Sequence, residues 1–272
     1  MHRRIAVLCA ASLALALTAL APSAASAAGE IHPGVQTVTD GAQCTANFVF
    51  QDANGTYIGQ AAHCSGTGAA TDTNGCTSSS LPIGTGVSVG GATRPGTLVY
   101  NSWLTMQGRG ENNPDVSAYN DLALVKLDPA DVGRVDPSVP GFGGPTGVAE
   151  APTPAGSTVY TYGNSSLRGG VTKLSPKQGA IVQPQGNGWS RDVYTVTPGI
   201  PGDSGSGFMD AAGNAIGVLS TVQIAPLAGS NGVGDLAREI AYMQANSSFT
   251  GANVVHGTQP FNPNLVSAIA GS

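Results

Sequence analysis

The sequence predicts an all-β fold from its turn residues, its short apolar runs and its polar composition. The 272 residues include 39 glycines and 18 prolines, which favour many turns and disfavour long helices. Between the turn signals lie short apolar runs of strand length, of which residues 122–127 are the clearest. Only 10% of the residues are charged, so small polar residues supply most of the surface. The length suits one large all-β domain or two small fused ones.

The first 27 residues have the pattern of a secretory signal peptide. A basic start at residues 1–4 precedes an apolar run at 5–20 and a small-residue site, Ala25-Ser26-Ala27. The alternative is a membrane anchor, for which the apolar run is short. We therefore expect a secreted, extracellular protein whose mature chain begins near Ala28.

Charge and cysteine content narrow the class of protein. The net charge is −5, and loss of Arg3 and Arg4 with the signal makes the mature chain more acidic, unlike a nucleic-acid binder. We expect no nucleic-acid partner, no membrane partner after signal cleavage, no cofactor or metal, and a monomer. Cys44, Cys64 and Cys76 allow one disulfide in three possible pairings, with one thiol left over.

The first half of the mature chain carries a candidate base and a candidate acid. Strands at 45–50 and 56–62 flank an Asn-Gly turn signal, and this hairpin ends at His63. A Cys44–Cys64 bridge would fix the backbone beside His63 and stabilise the fold by about 3 kcal/mol on the chain-entropy model. Asp121 stands at the entrance of the strand at 122–127, and further strands are expected at 86–89 and 97–100. A lone histidine, or an aspartate before a strand, is more often structural.

The second half follows a connection rich in Pro, Gly and Asp at residues 128–156. We predict strands at 158–162, 179–183, 193–196, 207–209 and 215–222. A helix is predicted over 235–244 with Asp235 as its N-cap, and a tail helix near Pro263. The loop at 201–207 places Ser204 among glycines, which suits an exposed nucleophile with N–H donors close by.

Three motifs together resemble the chymotrypsin-like (trypsin-type) serine peptidases of the secreted bacterial kind. They are Ala61-Ala62-His63-Cys64, Asp121-Leu122-Ala123-Leu124 and Gly202-Asp203-Ser204-Gly205-Ser206-Gly207. Their order, His then Asp then Ser, is the order of that family. The approach to the predicted helix, residues 231–235, is similar to that of the glutamyl-endopeptidase and exfoliative-toxin branch.

The resemblance implies two antiparallel β-barrels packed side by side, with a C-terminal helix. The first barrel would span residues 28–135, the connection 136–156, and the second barrel with the helix and tail 157–272. The catalytic site would lie in the cleft between the barrels. The family's disulfide beside the histidine would join Cys44 to Cys64.

The resemblance also implies roles for single residues in peptide hydrolysis through an acyl-enzyme. Ser204 would be the nucleophile, His63 the base and Asp121 the acid that orients it. The N–H groups of Gly202 and Ser204 would form the oxyanion hole. Ser220 would support the aspartate.

The residues expected at the specificity pocket point to a small or medium apolar side chain before the scissile bond (P1). Pro198 stands where trypsins carry an acid, and Leu219 where glutamyl endopeptidases are expected to carry a histidine. Val222 replaces a glycine of open pockets. Residues 220–222, Ser-Thr-Val, would pair with an extended protein or peptide substrate.

Two features depart from the family, and two other functions are possible alternatives. Trypsins bury a new N-terminal isoleucine against the aspartate beside the serine, but Ile31 lies too near Cys44 to reach Asp203, so we expect an internal partner such as an arginine. Cys76 has no evident partner. The alternative function is a catalytically silent, protease-like binding protein. An esterase fits less well, because Ser206 breaks the Gly-x-Ser-x-Gly pattern.

Overall fold

A computed structural model describes residues 29–69, 72–222 and 227–272, and the predicted signal segment 1–27 lies outside them. The described chain forms two mainly antiparallel sheets with few helices and a helix near the C-terminus. The predicted all-β class is confirmed. No helix in these ranges is long and apolar enough to cross a membrane.

The first sheet has eight strands and is built largely from the first half of the chain. Its strand order is β15-β3-β4-β7-β6-β5-β1-β2, so a strand from the C-terminal tail pairs with its edge. The β3–β4 hairpin turns where the Asn-Gly signal predicts it, and Asp52 Oδ1 accepts the Asn54 N–H at 2.7 Å. The strands are β1 (Gln36–Thr39), β2 (Ala42–Thr45), β3 (Val49–Asp52), β4 (Gly55–Ala61), β5 (Gly86–Val89), β6 (Gly96–Asn101), β7 (Leu122–Lys126) and β15 (Asn253–Val254).

The second sheet closes into a six-stranded barrel. Its order is β12-β9-β10-β11-β14-β13-β8, and an additional β12–β13 pairing completes the closure. β8 adds to this barrel from within the segment expected to connect the two halves. The strands are β8 (Gly147–Val148), β9 (Thr158–Tyr162), β10 (Pro176–Gln185), β11 (Ser190–Thr195), β12 (Gly207–Met209), β13 (Asn214–Val222) and β14 (Asn231–Asp235).

In the described ranges four α-helices accompany the sheets: α1 (Ser102–Arg109), α2 (Pro114–Tyr119), α3 (Leu236–Asn246) and α4 (Leu265–Gly271). α3 starts as predicted, because the Asp235 side chain accepts the Arg238 N–H at 3.0 Å. α1 and α2 were not predicted, since both are short and follow no clear apolar period. Their caps carry the missed signal, which is an Asn before each helix and a Pro at the first turn of α2.

One hydrophobic cluster joins the two sheets. It combines buried side chains of the first sheet, such as Phe50 and Leu124, with Tyr160 and Met209 of the second and Leu236 of α3. Burial of this apolar surface holds the sheets against each other. The core therefore fixes the position of one sheet against the other.

Candidate active site

His63 lies in a short 3₁₀ turn, Ala62–Ser65, directly after β4. The expected disulfide between Cys44 and Cys64 is present, with Cα atoms 6.1 Å apart, and ties this turn to β2. The turn is also tied to the next candidate residue, since the Ala62 N–H donates to the Asp121 carbonyl at 2.7 Å. The backbone around the imidazole is thus held from both sides.

The Asp121 carboxylate accepts three hydrogen bonds. Its Oδ2 lies 2.7 Å from His63 Nδ1 and accepts the Ser220 hydroxyl at 2.6 Å. Its Oδ1 accepts the His63 backbone N–H at 2.9 Å. The pair of contacts to His63 fixes both the backbone and the ring, and an Nδ1–H donor leaves Nε2 as the basic nitrogen.

The surroundings of His63 set its proton affinity. The side chain is 25% exposed, and the Asp121 side chain is 5% exposed. Burial lowers the pKa of the imidazole, but the negative charge of Asp121 and its hydrogen bond outweigh that effect. The pKa of His63 is therefore raised above its ordinary 6.5.

Ser204 is half-buried and lies in the loop between β11 and β12. Its carbonyl accepts the Thr45 N–H at 2.8 Å, next to the disulfide, and the Gly205 N–H donates to the Leu219 carbonyl at 2.7 Å. A Cβ on Gly205 would lie 2.9 Å from the Ala61 nitrogen, two residues before the candidate base. The Ser204 loop therefore contacts β2, the end of β4 that leads to His63, and β13 next to Ser220.

The N–H groups expected to bind an oxyanion have no acceptor in the described part of the chain. The neighbouring N–H groups of Asp203, Gly205 and Ser206 all donate to backbone carbonyls, whereas those of Gly202 and Ser204 do not. Gly202 has φ +94°, a conformation that L side chains rarely adopt, and a Cβ there would meet Gln43 Oε1 at 2.5 Å. This position therefore requires glycine.

Asp203, beside the serine, is fully buried between two cations. Its Oδ2 lies 2.7 Å from Arg168 Nη2 and 3.0 Å from Lys177 Nζ, and its Oδ1 accepts the Ser165 N–H at 3.0 Å. Burial lowers the pKa of Lys177 to about 8, partly offset by the charge of Asp203. Ile31 lies elsewhere, with its N–H on the Arg134 carbonyl. The expected internal arginine is present, and the buried lysine was not foreseen.

The strand expected to bind substrate forms the end of β13. Thr221 and Val222 pair with β14 on one side, and no described strand pairs with Ser220–Val222 on the other. Val222 is 44% exposed. Pro198 lies in the segment before the Ser204 loop, and its carbonyl accepts a hydrogen bond from Arg168 Nη2 at 2.9 Å. Residues 223–226, directly after this strand, lie outside the described ranges.

Asn231 links the two segments expected to form the pocket walls. Its Oδ1 accepts the Gly199 N–H at 2.9 Å, and its Nδ2 lies 3.4 Å from the Thr221 carbonyl. The residue is fully buried. A Cβ on Gly199 would lie 2.8 Å from both Asn231 Nδ2 and Leu219 Cδ1, so the space beside Gly199 is filled. Sequence patterns give no signal for Asn231, because its role depends on a loop and a strand that meet only in the fold.

The remaining cysteine is a free thiol away from the disulfide. Cys76 Sγ accepts the Ser117 hydroxyl at 2.6 Å. Among the described residues, the one group of potential metal ligands within 4.8 Å of each other is Cys44, His63 and Cys64. Its two sulfurs form the disulfide and are not available as thiolate ligands.

The chain matches no protein-family model and no curated protein sequence. Its structure is similar to Thermobifida fusca Protease A, with a TM-score of 0.54 and 18% identity over 84% of this chain and 99% of that one. A glutamic acid-specific serine protease that uses a histidine triad in substrate binding has a TM-score of 0.51 and 17% identity over 83% of this chain and 100% of that one. A Glu endopeptidase in complex with MPD has a TM-score of 0.50 and 16% identity over 78% of this chain and 91% of that one. The chain therefore has the chymotrypsin-like fold.

Proposed function

We propose that this chain is a secreted serine endopeptidase that cleaves proteins or peptides through an acyl-enzyme on Ser204. The observation that carries the proposal is the Asp121 carboxylate, which holds the His63 ring at 2.7 Å and the Ser220 hydroxyl at 2.6 Å beside the Ser204 loop. The solved proteases of the same fold support this chemistry. An exported enzyme agrees with the signal pattern of residues 1–27.

The mechanism assigns each proton to a named atom. Ser204 Oγ attacks the substrate carbonyl carbon while its proton passes to His63 Nε2. Asp121 stabilises the resulting imidazolium. The N–H groups of Gly202 and Ser204 bind the oxyanion. The C–N bond then breaks, the amine leaves with the proton from His63, and water repeats the sequence to release the acid.

Hydrolysis of an unstructured protein such as casein tests the proposal. The mature chain should cleave it, and a variant carrying Ser204→Ala should not, while its melting temperature stays within a few degrees of the parent. A folded parent chain that cleaves no protein or peptide would favour the silent binding protein instead.

The pocket residues support a small or medium apolar P1 side chain. Pro198 offers no charge to a basic side chain, and Leu219 no charge to an acidic one. Asn231 fills the space between the two segments expected to form the pocket walls, and Val222 stands at the entrance of the expected pocket. The glutamic acid-specific neighbour uses a histidine triad in substrate binding, and Pro198, Leu219 and Val222 are not histidine here.

Widening the entrance should change the P1 preference. Val222→Gly is expected to raise the ratio of kcat/KM for phenylalanine over alanine at P1 by roughly 10-fold or more, because a branched side chain is removed from the entrance. Val182→Gly removes a comparably exposed strand valine and serves as control. Fluorogenic peptides differing only at P1 give the ratios. A parent profile dominated by Arg, Lys or Glu would contradict this pocket assignment.

The pH dependence of kcat/KM should follow His63. The protonated imidazole cannot accept the Ser204 proton, so activity rises as pH increases through its pKa. Because the charge of Asp121 raises this pKa, the midpoint of the acid limb should lie above 6.5. Initial rates at low substrate concentration between pH 5 and 9 measure it. A profile that is flat from pH 5 to 8 would show that His63 is not the base.

A further inference from the structure

Glu239 occupies a core position of α3. The buried residues of this helix are Leu236, Glu239, Ile240 and Met243, which follow the i, i+3, i+4, i+7 spacing of one helix face. Among these four buried residues, Glu239 alone has an ionisable side chain, and it is 0% exposed. A carboxyl in such a position requires a specific partner, because burying a polar group without a hydrogen bond is costly.

The partner is the backbone of the proposed catalytic acid. Glu239 Oε1 accepts the Asp121 N–H at 2.9 Å. The Asp121 carbonyl accepts the Ala62 N–H at 2.7 Å. Both backbone groups of Asp121 are thus held, one by α3 and the other by the turn that carries His63. A Cβ on Gly234 would lie 2.5 Å from Glu239 Oε1, so the carboxyl is closely enclosed.

The charges around Glu239 are mostly negative. The negative charges of Asp121, just before β7, and of Asp235, the N-cap of α3, both act on Glu239. The positive charge of Arg191 in β11 also acts on it, but Arg191 already pairs with Asp235. Tyr100 of β6 also interacts with it. Burial raises the pKa of Glu239 well above its usual value, and the two aspartates add to the shift.

The second carboxyl oxygen, Oε2, has no hydrogen-bond partner within the described ranges. An ionised carboxylate here would leave a buried charge without compensation beside a second carboxylate. A protonated carboxyl avoids that repulsion and keeps Oε1 as an acceptor for the Asp121 N–H.

We propose that Glu239 is a positioning residue for the triad: as a neutral carboxylic acid, it fixes the backbone of Asp121 without placing a second negative charge behind it. The inference rests on the proposed function. It implies that Asp121 is the source of the negative charge felt by His63, and that the shape of the Glu239 side chain matters more than its charge.

Steady-state kinetics of two variants test the positioning. Glu239→Gln keeps the acceptor and the neutral state, so kcat, KM and the acid midpoint of kcat/KM should stay within about twofold and about 0.2 pH units of the parent. Glu239→Leu removes the acceptor and should lower kcat by roughly 10- to 100-fold with little change in KM, because the triad is misplaced rather than the substrate. Glu150→Gln, at an exposed position, is the matched control.

Two outcomes would overturn the proposal. If Glu239 were ionised, Glu239→Gln would remove a negative charge near His63 and move the acid midpoint to lower pH. If Glu239 only filled space, Glu239→Leu would keep the parent kcat. Either result decides against a neutral positioning group.

Thermal unfolding gives a readout that does not need activity. A neutral Glu239 ionises on unfolding, so its contribution to stability is complete below the unfolded pKa of about 4.3 and is lost as pH rises towards its folded pKa. The difference in melting temperature between Glu239→Gln and the parent, taken as variant minus parent, should therefore increase from pH 4 to pH 7. A constant difference would mean an ionised Glu239. Because melting is independent of hydrolysis, an inactive parent would refute the proposed function without deciding this question.

Discussion

Asp121→Asn is expected to lower kcat for peptide hydrolysis by about 10⁴-fold while leaving the fold intact. The carboxylate accepts both the His63 backbone N–H and its Nδ1 proton. The backbone N–H can only donate, so the amide oxygen of an asparagine must face it and the amide nitrogen must face Nδ1. That nitrogen donates instead of accepting, so Nδ1 loses its proton, the ring takes the wrong tautomer, and Nε2 cannot receive the Ser204 proton. Active-site-titrated enzyme and a fluorogenic peptide measure the loss.

Ser220→Ala provides a graded comparison for that experiment. It removes one of the three hydrogen bonds to Asp121 and leaves both contacts to His63, so kcat should fall by roughly 10-fold or less. An Asp121→Asn variant that retained more than a tenth of the parent kcat would mean that Asp121 does not orient the base.

Asp203→Asn is expected to lower the free energy of unfolding by roughly 3–5 kcal/mol at pH 7. Asp203 is the shared anion of two buried cations, with the Arg168 side chain 8% and the Lys177 side chain 2% exposed. An asparagine leaves these two positive charges buried without a counter-charge. Urea unfolding followed by tryptophan fluorescence measures the change.

Asp40→Asn is the matched control for charge. Asp40 is exposed and has φ +47°, in the left-handed region that asparagine also tolerates. Its free energy of unfolding should stay within about 0.5 kcal/mol of the parent. If Asp203→Asn lowered the free energy of unfolding as little as this control, Asp203 would not be the counter-charge that stabilises the two buried cations.

Local signals in the sequence predicted most of the strands, but β1, β8, β14 and β15 were missed, and the strand expected at 45–50 is interrupted at residues 46–48, between β2 and β3. The bounds of β5, β9 and β12 equal the predicted ranges, because each apolar run is short and flanked by turn residues. α1 and α2 escaped prediction, since a helix of six to eight residues gains its stability from caps and packing rather than from periodicity.

Some contacts of the candidate site could be predicted from the sequence and others could not. Residue type, order and spacing singled out His63 and Asp121, which lie 58 positions apart and are in contact. The role of Ser204 remains a prediction. Lys177 and Asn231 could not be foreseen, because each acts on a loop distant in sequence. Glu239 did leave a signal, a carboxylate in the apolar stripe of a predicted helix.

Intact-mass analysis after fluorophosphonate treatment tests the central claim most directly, namely that Ser204 is an activated nucleophile. The mature chain should gain the mass of one adduct, located on Ser204 by peptide mapping. Ser204→Ala and His63→Ala should gain none under the same conditions. A folded parent chain that stays unlabelled, or an adduct that persists in Ser204→Ala, would contradict the account.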